Sequence, residues 1–288
     1  MKKLIITAMI LFSLNNLWSA PAPFAPSTVK AFADSLYSEG FLTQAEGEYK
    51  RYLFSVDTSL EDALSADVEF QSSLMSLCNI YKEQENKEGI VWLKQSFYPY
   101  AATTLKEKMN VLQAGYVFKE RNLTSFSLLE QDFETEGISF STDFTRVIKA
   151  SDFVLNRNIK GLSEFCSEVS ADTDLFGTLG QLSSSYKLKS PGLALFLSSI
   201  IPGCGRWYTG SFWAFVSSFL SVGSFITGTV VAGINTSWRS WQPYVFGACG
   251  LVLYITELYG SYQSAKRYND SLYRVLCEET EKLYDRIY

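Results

Sequence analysis

Two charged side chains lie in the most apolar part of the chain. Arg206 and Glu257 are, with Arg239, the only charged residues between positions 191 and 260. A carboxylate inside a membrane can bind or relay a proton, so Glu257 is a speculative intramembrane polar site. It lies within two helical turns of a polar segment, which favours a position near the membrane surface. No paired carboxylate and no nucleophile–base group accompanies it, so the sequence assigns no catalytic residue.

Composition excludes several kinds of chemistry. The 288-residue chain contains no histidine, which excludes Ser-His-Asp and Cys-His catalysis and His-ligated metal sites. The glycine-containing run 203–210 has neither the spacing nor the Lys-Ser/Thr of a phosphate-binding loop. A net charge of −5 argues against nucleic-acid binding. We therefore expect no cofactor, no metal, no nucleic acid, no small-molecule substrate and no enzymatic activity.

The five cysteines form no CxxC pair, and an odd number fits a full disulfide framework poorly. Burial as small apolar side chains is the favoured interpretation. A disulfide between Cys78 and Cys166 is the alternative left open.

The first 22 residues are typical of a bacterial signal peptide. Lys2 and Lys3 precede an apolar stretch from Leu4 to Trp18, and small residues and prolines follow. Cleavage is favoured over retention as an anchor, and in either case the following segment is expected to be exported.

Residues 23–188 are predicted to form an all-α domain. Apolar residues recur at steps of three and four, and glycine and proline are few, as is typical of helices. The predicted helices lie near 27–39, 43–55, 64–84, 87–98, 103–119, 122–132, 142–155, 158–169 and 172–186. Short turns between them predict stacked helix pairs, with a compact bundle that lacks a groove as the alternative.

The first helix pair has the spacing of a tetratricopeptide repeat. Small residues permit close helix packing, a glycine makes the turn and larger side chains fill the groove; these residues are Ala33, Leu36, Gly40, Leu42, Ala45 and Tyr49. Tyr52 stands where a second small residue is expected, and the later pairs lack the signature. The sequence thus predicts one recognisable repeat and about three degenerate ones. Such stacks commonly bind a partner protein or peptide.

Residues 189–270 are predicted to be a membrane domain. Residues 211–233 carry no charge and 243–264 carry only Glu257, and each stretch is long enough to cross a bilayer as a helix. Tryptophans flank both ends of the first span, as in an interfacial belt. For these two spans a buried soluble hairpin is the alternative. The shorter stretch 192–203 is predicted to be an interfacial or re-entrant helix, with a third crossing as the alternative. Residues 271–288 are predicted to be a polar helical tail.

The segment that opens this domain resembles a family of bacterial membrane proteins of unknown function. Its pattern, K-S-P-x-x-A-x-x-L-S-x-x-x-P-G-x-G-x-x-Y-x-G, is matched from Lys189 to Gly210, and the close A-x-R-Y-N is matched at residues 265–269. The motif residues of structural interest are Pro191, Pro202, Gly203, Gly205, Tyr208 and Gly210. Arg206 stands where the family usually has glutamine. The resemblance implies an exported tetratricopeptide-like region joined to a membrane hairpin, without an established activity.

Within such a segment Pro191 can open the short helix and Pro202-Gly203 can end it. Gly205 and Gly210 are expected to permit a tight turn.

Together these features predict a degenerate tetratricopeptide-like stack, a short interfacial helix and a two-helix transmembrane hairpin. The expected location is the bacterial inner membrane, with the N-terminal domain in the periplasm. The expected function is a membrane-anchored scaffold or adaptor, whose partners are an envelope protein or peptide and membrane lipid. The alternative is an accessory factor in membrane-protein insertion or envelope assembly that acts through the hairpin.

Overall fold

The computed structural model describes residues 24–57, 61–135, 140–169 and 174–288. The signal peptide predicted over 1–22 lies outside these residues. The all-α prediction is confirmed, because the described residues form fourteen α-helices and no strand. The helices are α1 (Pro26–Ser38), α2 (Leu42–Ser55), α3 (Glu61–Ala66), α4 (Val68–Glu83), α5 (Lys87–Phe97), α6 (Thr103–Lys119), α7 (Leu123–Thr135), α8 (Thr142–Leu155), α9 (Ile159–Val169), α10 (Gly177–Ser185), α11 (Pro191–Ile200), α12 (Cys204–Tyr208), α13 (Phe212–Thr236) and α14 (Gln242–Ile287).

The helix predicted over 64–84 is two helices that meet at Asp67. Its carboxylate accepts hydrogen bonds from the backbone N–H groups of Glu69 and Phe70. These bonds satisfy donors that the first turn of a helix leaves unpaired, and aspartate is among the preferred residues for that position. Asp67 therefore begins α4 and separates it from α3.

Three turns between helices share one geometry. In each, a non-glycine residue with φ between 50° and 55° precedes an asparagine whose side-chain oxygen accepts a backbone N–H from the start of the next helix. The three turns are Glu85-Asn86, Arg121-Asn122 and Arg157-Asn158. They recur every 36 residues, which is a length typical of helix-pair repeats. The assignment to the tetratricopeptide class stays a prediction.

The first helix pair places its signature residues between α1 and α2. Ala33 and Ala45 are fully buried, and Leu36 packs against the same core. Gly40 has φ +82° and ends α1, in the left-handed region that favours glycine. Tyr49 is also buried.

Buried tyrosines in this region are hydrogen-bonded. The hydroxyl of Tyr49 donates to Asp34 at 2.7 Å, and that of Tyr116 donates to the carbonyl oxygen of Tyr81 at 2.9 Å. Burial raises the pKa of Tyr49 and Tyr81 well above the usual tyrosine value and that of Tyr116 to about 12. These rings therefore stay neutral at physiological pH.

No disulfide joins the five cysteines, all of which lie in described parts of the chain. Cys78 and Cys166 are buried thiols. Burial raises the pKa of Cys78 to about 12 and that of Cys166 to about 11. The disulfide alternative is thus not adopted, and both side chains serve as buried packing groups.

The chain forms two compact units. The first comprises the described residues up to 148 with 284–288, and the second comprises the described residues of 149–283. The division lies inside α8, and the domain boundary predicted near residue 188 stays a prediction.

Within the described residues, α13 is the one helix long and apolar enough to cross a membrane. Only 11% of its most apolar stretch is buried, whereas the core helix of a soluble protein is mostly buried. The second predicted span, 243–264, forms the first half of α14, which continues unbroken to Ile287 and includes the tail predicted over 271–288. The second crossing therefore stays a prediction.

Candidate functional site

The motif at residues 189–210 forms two short helices that precede α13. Pro191 occupies the first turn of α11, and the Ser190 hydroxyl accepts a hydrogen bond from a backbone N–H of that turn. Pro202 and Gly203 connect α11 to α12, with Gly203 at φ +84°. Gly210, at φ +93°, makes the turn from α12 to α13. Both residues of this segment that have left-handed φ values are therefore glycines, which adopt positive φ without a steric penalty.

Gly205 has a different role from the turn expected of it. It lies within α12, where a Cβ would stand 2.1 Å from the carbonyl oxygen of Ala194 in α11. Its N–H donates to the hydroxyl of Ser198 at 2.8 Å, and that hydroxyl donates to Ser261 of α14 at 2.7 Å. Both serines are fully buried. Gly205 thus permits a close helix contact, and Ser198 joins three helices.

The two ends of residues 189–270, which carry the motif and its close, lie in contact. The Asn269 side chain exchanges two hydrogen bonds with the backbone of Lys189, at 2.8 and 2.9 Å. The Tyr208 hydroxyl accepts a hydrogen bond from the backbone N–H of Ser190 at 3.3 Å, and the Lys189 ammonium lies 4.6 Å from the Tyr208 ring centre. Residues from the start, middle and end of 189–270 therefore form one cluster.

Arg206 and Glu257 form an ion pair. Their closest nitrogen and oxygen atoms are 2.9 Å apart, and their side chains are 27% and 14% exposed. Gly260 provides the space for this pair, because a Cβ there would lie 2.5 Å from the guanidinium. The hydroxyls of Thr209, which directly follows α12, and Ser264, two turns beyond Glu257 on α14, share a hydrogen bond of 2.7 Å.

The pair is incompletely satisfied. Arg206 Nε and Glu257 Oε2 are buried, and neither has a hydrogen-bond partner among the described residues. This arrangement gives Glu257 a structural partner, and no second carboxylate in the described part of the chain pairs with it to form an acid–base couple.

A separate feature lies in the first unit, where aromatic and basic side chains cluster on the surface. We call Phe24, Lys50, Arg51, Phe54 and Trp92 the aromatic–basic patch. The Lys50 ammonium lies 4.5 Å from the Trp92 ring centre, and the Arg51 guanidinium lies 5.4 Å from that of Phe24. The rings of Phe54 and Trp92 are 6.1 Å apart. Phe24 and Phe54 are 75% and 69% exposed, which is high for large apolar residues.

The cations of this patch are also paired with carboxylates. Lys50 contacts Glu46 at 2.6 Å, and Arg51 contacts Glu48 at 3.4 Å. The positive charge of the patch is therefore largely compensated, and the exposed rings are its main unused binding capacity.

No group of three or more acidic, cysteine or histidine side chains in the described part of the chain is arranged to hold a metal ion. Comparisons with protein-family models, curated proteins and solved structures find no match to this chain.

Proposed function

We propose that this chain is a membrane-anchored scaffold that binds a partner protein through its helical N-terminal region and carries out no catalysis. In this proposal the helical region is exported to the periplasm, and the helices of residues 189–270 hold it at the bacterial inner membrane. The aromatic–basic patch is the observation that carries the proposal.

The composition of the patch supports a binding role. Residues that dominate the energy of protein interfaces are enriched in tryptophan, tyrosine and arginine, and they cluster where a partner can desolvate them. In the patch, Trp92 and Arg51 lie beside two phenylalanine rings that are mostly exposed. Covering these rings removes apolar surface from water, which favours association.

The repeated helix pairs support the same role. Turns of one type recur every 36 residues, and stacked helix pairs present extended surfaces to partners. Four residues of the patch lie on α2 and α5, and Phe24 precedes α1, so the patch belongs to two successive pairs. In this proposal the partner therefore contacts a surface formed by two stacked helix pairs and not a single loop.

The anchoring part of the proposal rests on α13. It has the length and hydropathy of a membrane span, and its apolar residues are largely unburied. Many large apolar side chains in the first half of α14 are exposed as well, including Leu251, Val252 and Ile255. A lipid environment would cover these faces, as it does in membrane helices.

The proposal is tested by affinity capture of the full chain from solubilised membranes, followed by quantitative mass spectrometry. Phe54→Asp places a charge in the patch. Leu128→Asp is the matched control, because Leu128 is a 59% exposed residue on α7 of the same unit. We expect a partner that is captured by the native chain and by the control and is lost with Phe54→Asp.

Two results would contradict the proposal. An identical set of captured proteins for all three chains removes the patch as a binding site. Loss of capture with Glu257→Gln but not with Phe54→Asp favours the alternative, an assembly factor that acts through the membrane hairpin.

A further inference from the structure

The second unit contains a cavity of about 570 Å³ that is lined in part by Arg206 of the Arg206–Glu257 pair. Eight of its twelve lining residues lie on α14 between Thr256 and Ser271. Their positions alternate in steps of three and one, so each has neighbours three or four residues away and the eight form one face of that helix. The other four come from α12, the turn that follows it and the start of α13, and they include Arg206. A cavity of this size is within the range that holds small ligands.

The lining is suited to an anion. Ten of the twelve residues carry a polar side chain, two of these are arginines, and no carboxylate belongs to the lining. Hydroxyl and amide groups can donate hydrogen bonds to an oxyanion, and arginine pairs with phosphate through two parallel N–H groups.

The two arginines differ in their charge balance. Arg206 is paired with Glu257, so its charge is compensated locally. Among the described residues no carboxylate lies within ion-pair distance of Arg267. The cavity therefore has one uncompensated positive charge, and it lies on the α14 face.

The surroundings of the cavity indicate what kind of molecule carries the anion. Trp207 stacks on Phe215 with ring centres 5.5 Å apart, and the exposed side chains of Phe212 and Trp213 follow at the start of α13. Aromatic residues at the end of a membrane span mark the headgroup level of the bilayer. A phospholipid seated there would place its phosphate at the cavity and its acyl chains along the exposed apolar side of α13.

We propose that this cavity binds a phosphate group, and that its source is the headgroup of an anionic phospholipid. This inference rests on the membrane anchoring in the proposed function. It adds a specific lipid site to a chain whose partner-binding patch lies in the other unit.

The test uses the full chain purified in detergent. Native mass spectrometry measures retained lipid after addition of phosphatidylglycerol, with phosphatidylcholine as the zwitterionic comparison. In a separate arm, glycerol phosphate is added without lipid, to distinguish a soluble phosphate from a lipid headgroup. We expect one bound phosphatidylglycerol and weaker retention of phosphatidylcholine.

Arg267→Gln removes the uncompensated charge. We expect a loss of affinity of about ten-fold or more, as for one charge-assisted contact. Lys266→Gln is the matched control, because it removes one positive charge at the adjacent position outside the cavity lining. We expect this control to bind as the native chain does.

Ser271→Asp is a second variant that leaves both arginines in place. Ser271 is exposed and lines the cavity, so its replacement adds a negative charge with little effect on packing. We expect it to abolish lipid retention, and circular dichroism checks that each variant keeps its helix content.

The outcomes are distinct. Glycerol phosphate bound with the same Arg267 dependence, without lipid retention, keeps the phosphate site but overturns a phospholipid headgroup as its source. Absence of both ligands, or equal effects of Arg267→Gln and Lys266→Gln, overturns the proposal. A chain that binds neither ligand but still requires detergent overturns this inference alone, whereas a chain that is soluble without detergent contradicts the anchoring itself.

Discussion

Gly205→Ala tests the closest helix contact in the motif-bearing segment. A Cβ at this position would stand 2.1 Å from the Ala194 carbonyl oxygen, whereas ordinary contacts begin at 3.4 Å. The backbones of α11 and α12 would have to separate by about 1.3 Å, because the obstructing atom belongs to the main chain and cannot rotate away. The same movement would stretch the hydrogen bond from Gly205 to Ser198.

The expected loss in the free energy of unfolding follows from these two effects. Overpacking costs about 1–3 kcal/mol, and loss of the hydrogen bond costs about 0.5–1.5 kcal/mol. Alanine is the better helix former by about 1 kcal/mol, which offsets part of this cost. We expect Gly205→Ala to lower the free energy of unfolding by about 1–3 kcal/mol.

Gly223→Ala is the matched control. Gly223 lies in α13, and a Cβ there would meet no atom within 4 Å. It carries the same gain in helix propensity without the clash, so the two variants should differ by about 2–4 kcal/mol.

The assay is thermal unfolding of the full chain in detergent micelles, followed by tryptophan fluorescence because Trp207 lies in α12. Hydrogen exchange of residues 191–210 gives the local stability. We expect a lower Tm and faster exchange for Gly205→Ala alone. Equal Tm values and exchange rates for the two variants would refute the close contact.

Three further predictions concern the first unit. Gly89→Ala should lower the free energy of unfolding by about 1–3 kcal/mol, because its Cβ would lie 2.5 Å from the buried Tyr81 ring; Gly47→Ala, with open space around it, should be neutral or slightly stabilising in the same urea titration. Asp67→Ala should cost about 1 kcal/mol through loss of the cap on α4, and Asp67→Asn should restore most of it; unchanged exchange of the first-turn amides in the alanine variant would refute the capping role. Burial raises the pKa of Cys78 from 9.0 to about 12. The buried neutral thiol therefore contributes fully to the free energy of unfolding below pH 9, and this contribution is lost as the pH rises towards 12, by about 1.4 kcal/mol per pH unit. Urea unfolding between about pH 9 and pH 10 should therefore show a shallower pH dependence for Cys78→Ala than for the native chain, and equal slopes would contradict burial of this thiol.

The helices were predictable because their signal is local. Periodicity and breaks in sequence placed α1, α2 and α5 within one or two residues of their observed bounds. The predicted helix over 64–84 missed the break at Asp67, where the side chain competes for the backbone donors. A preference for aspartate at helix starts was the available signal.

The site was less predictable because its contacts join distant parts of the chain. Gly205 was expected to make a turn, yet Gly203 and Gly210 have the left-handed φ values and Gly205 makes the close contact. The hydrogen bond between Ser198 and Ser261 spans 63 positions. No spacing rule within one helix indicates such a partner.

The ion pair and the patch illustrate the same limit. Arg206 and Glu257 were each conspicuous as charges in an apolar region, and their rarity was a signal that they could pair. For the patch, Lys50, Arg51 and Phe54 share one face of α2, but Trp92 joins them only through the packing of α2 and α5. The contacts of each site that join different helices therefore depend on tertiary packing, which the sequence pattern of a single helix does not indicate.

The central claim, a membrane-anchored scaffold with its binding site at the aromatic–basic patch, is tested most directly by site-specific photocrosslinking in intact cells. A photoreactive phenylalanine analogue replaces Phe54 in one chain and the exposed Leu128 in another. The account predicts one discrete crosslinked protein from position 54, recovered in the membrane fraction, and none from position 128. No adduct from either position, or the same adducts from both, would contradict it.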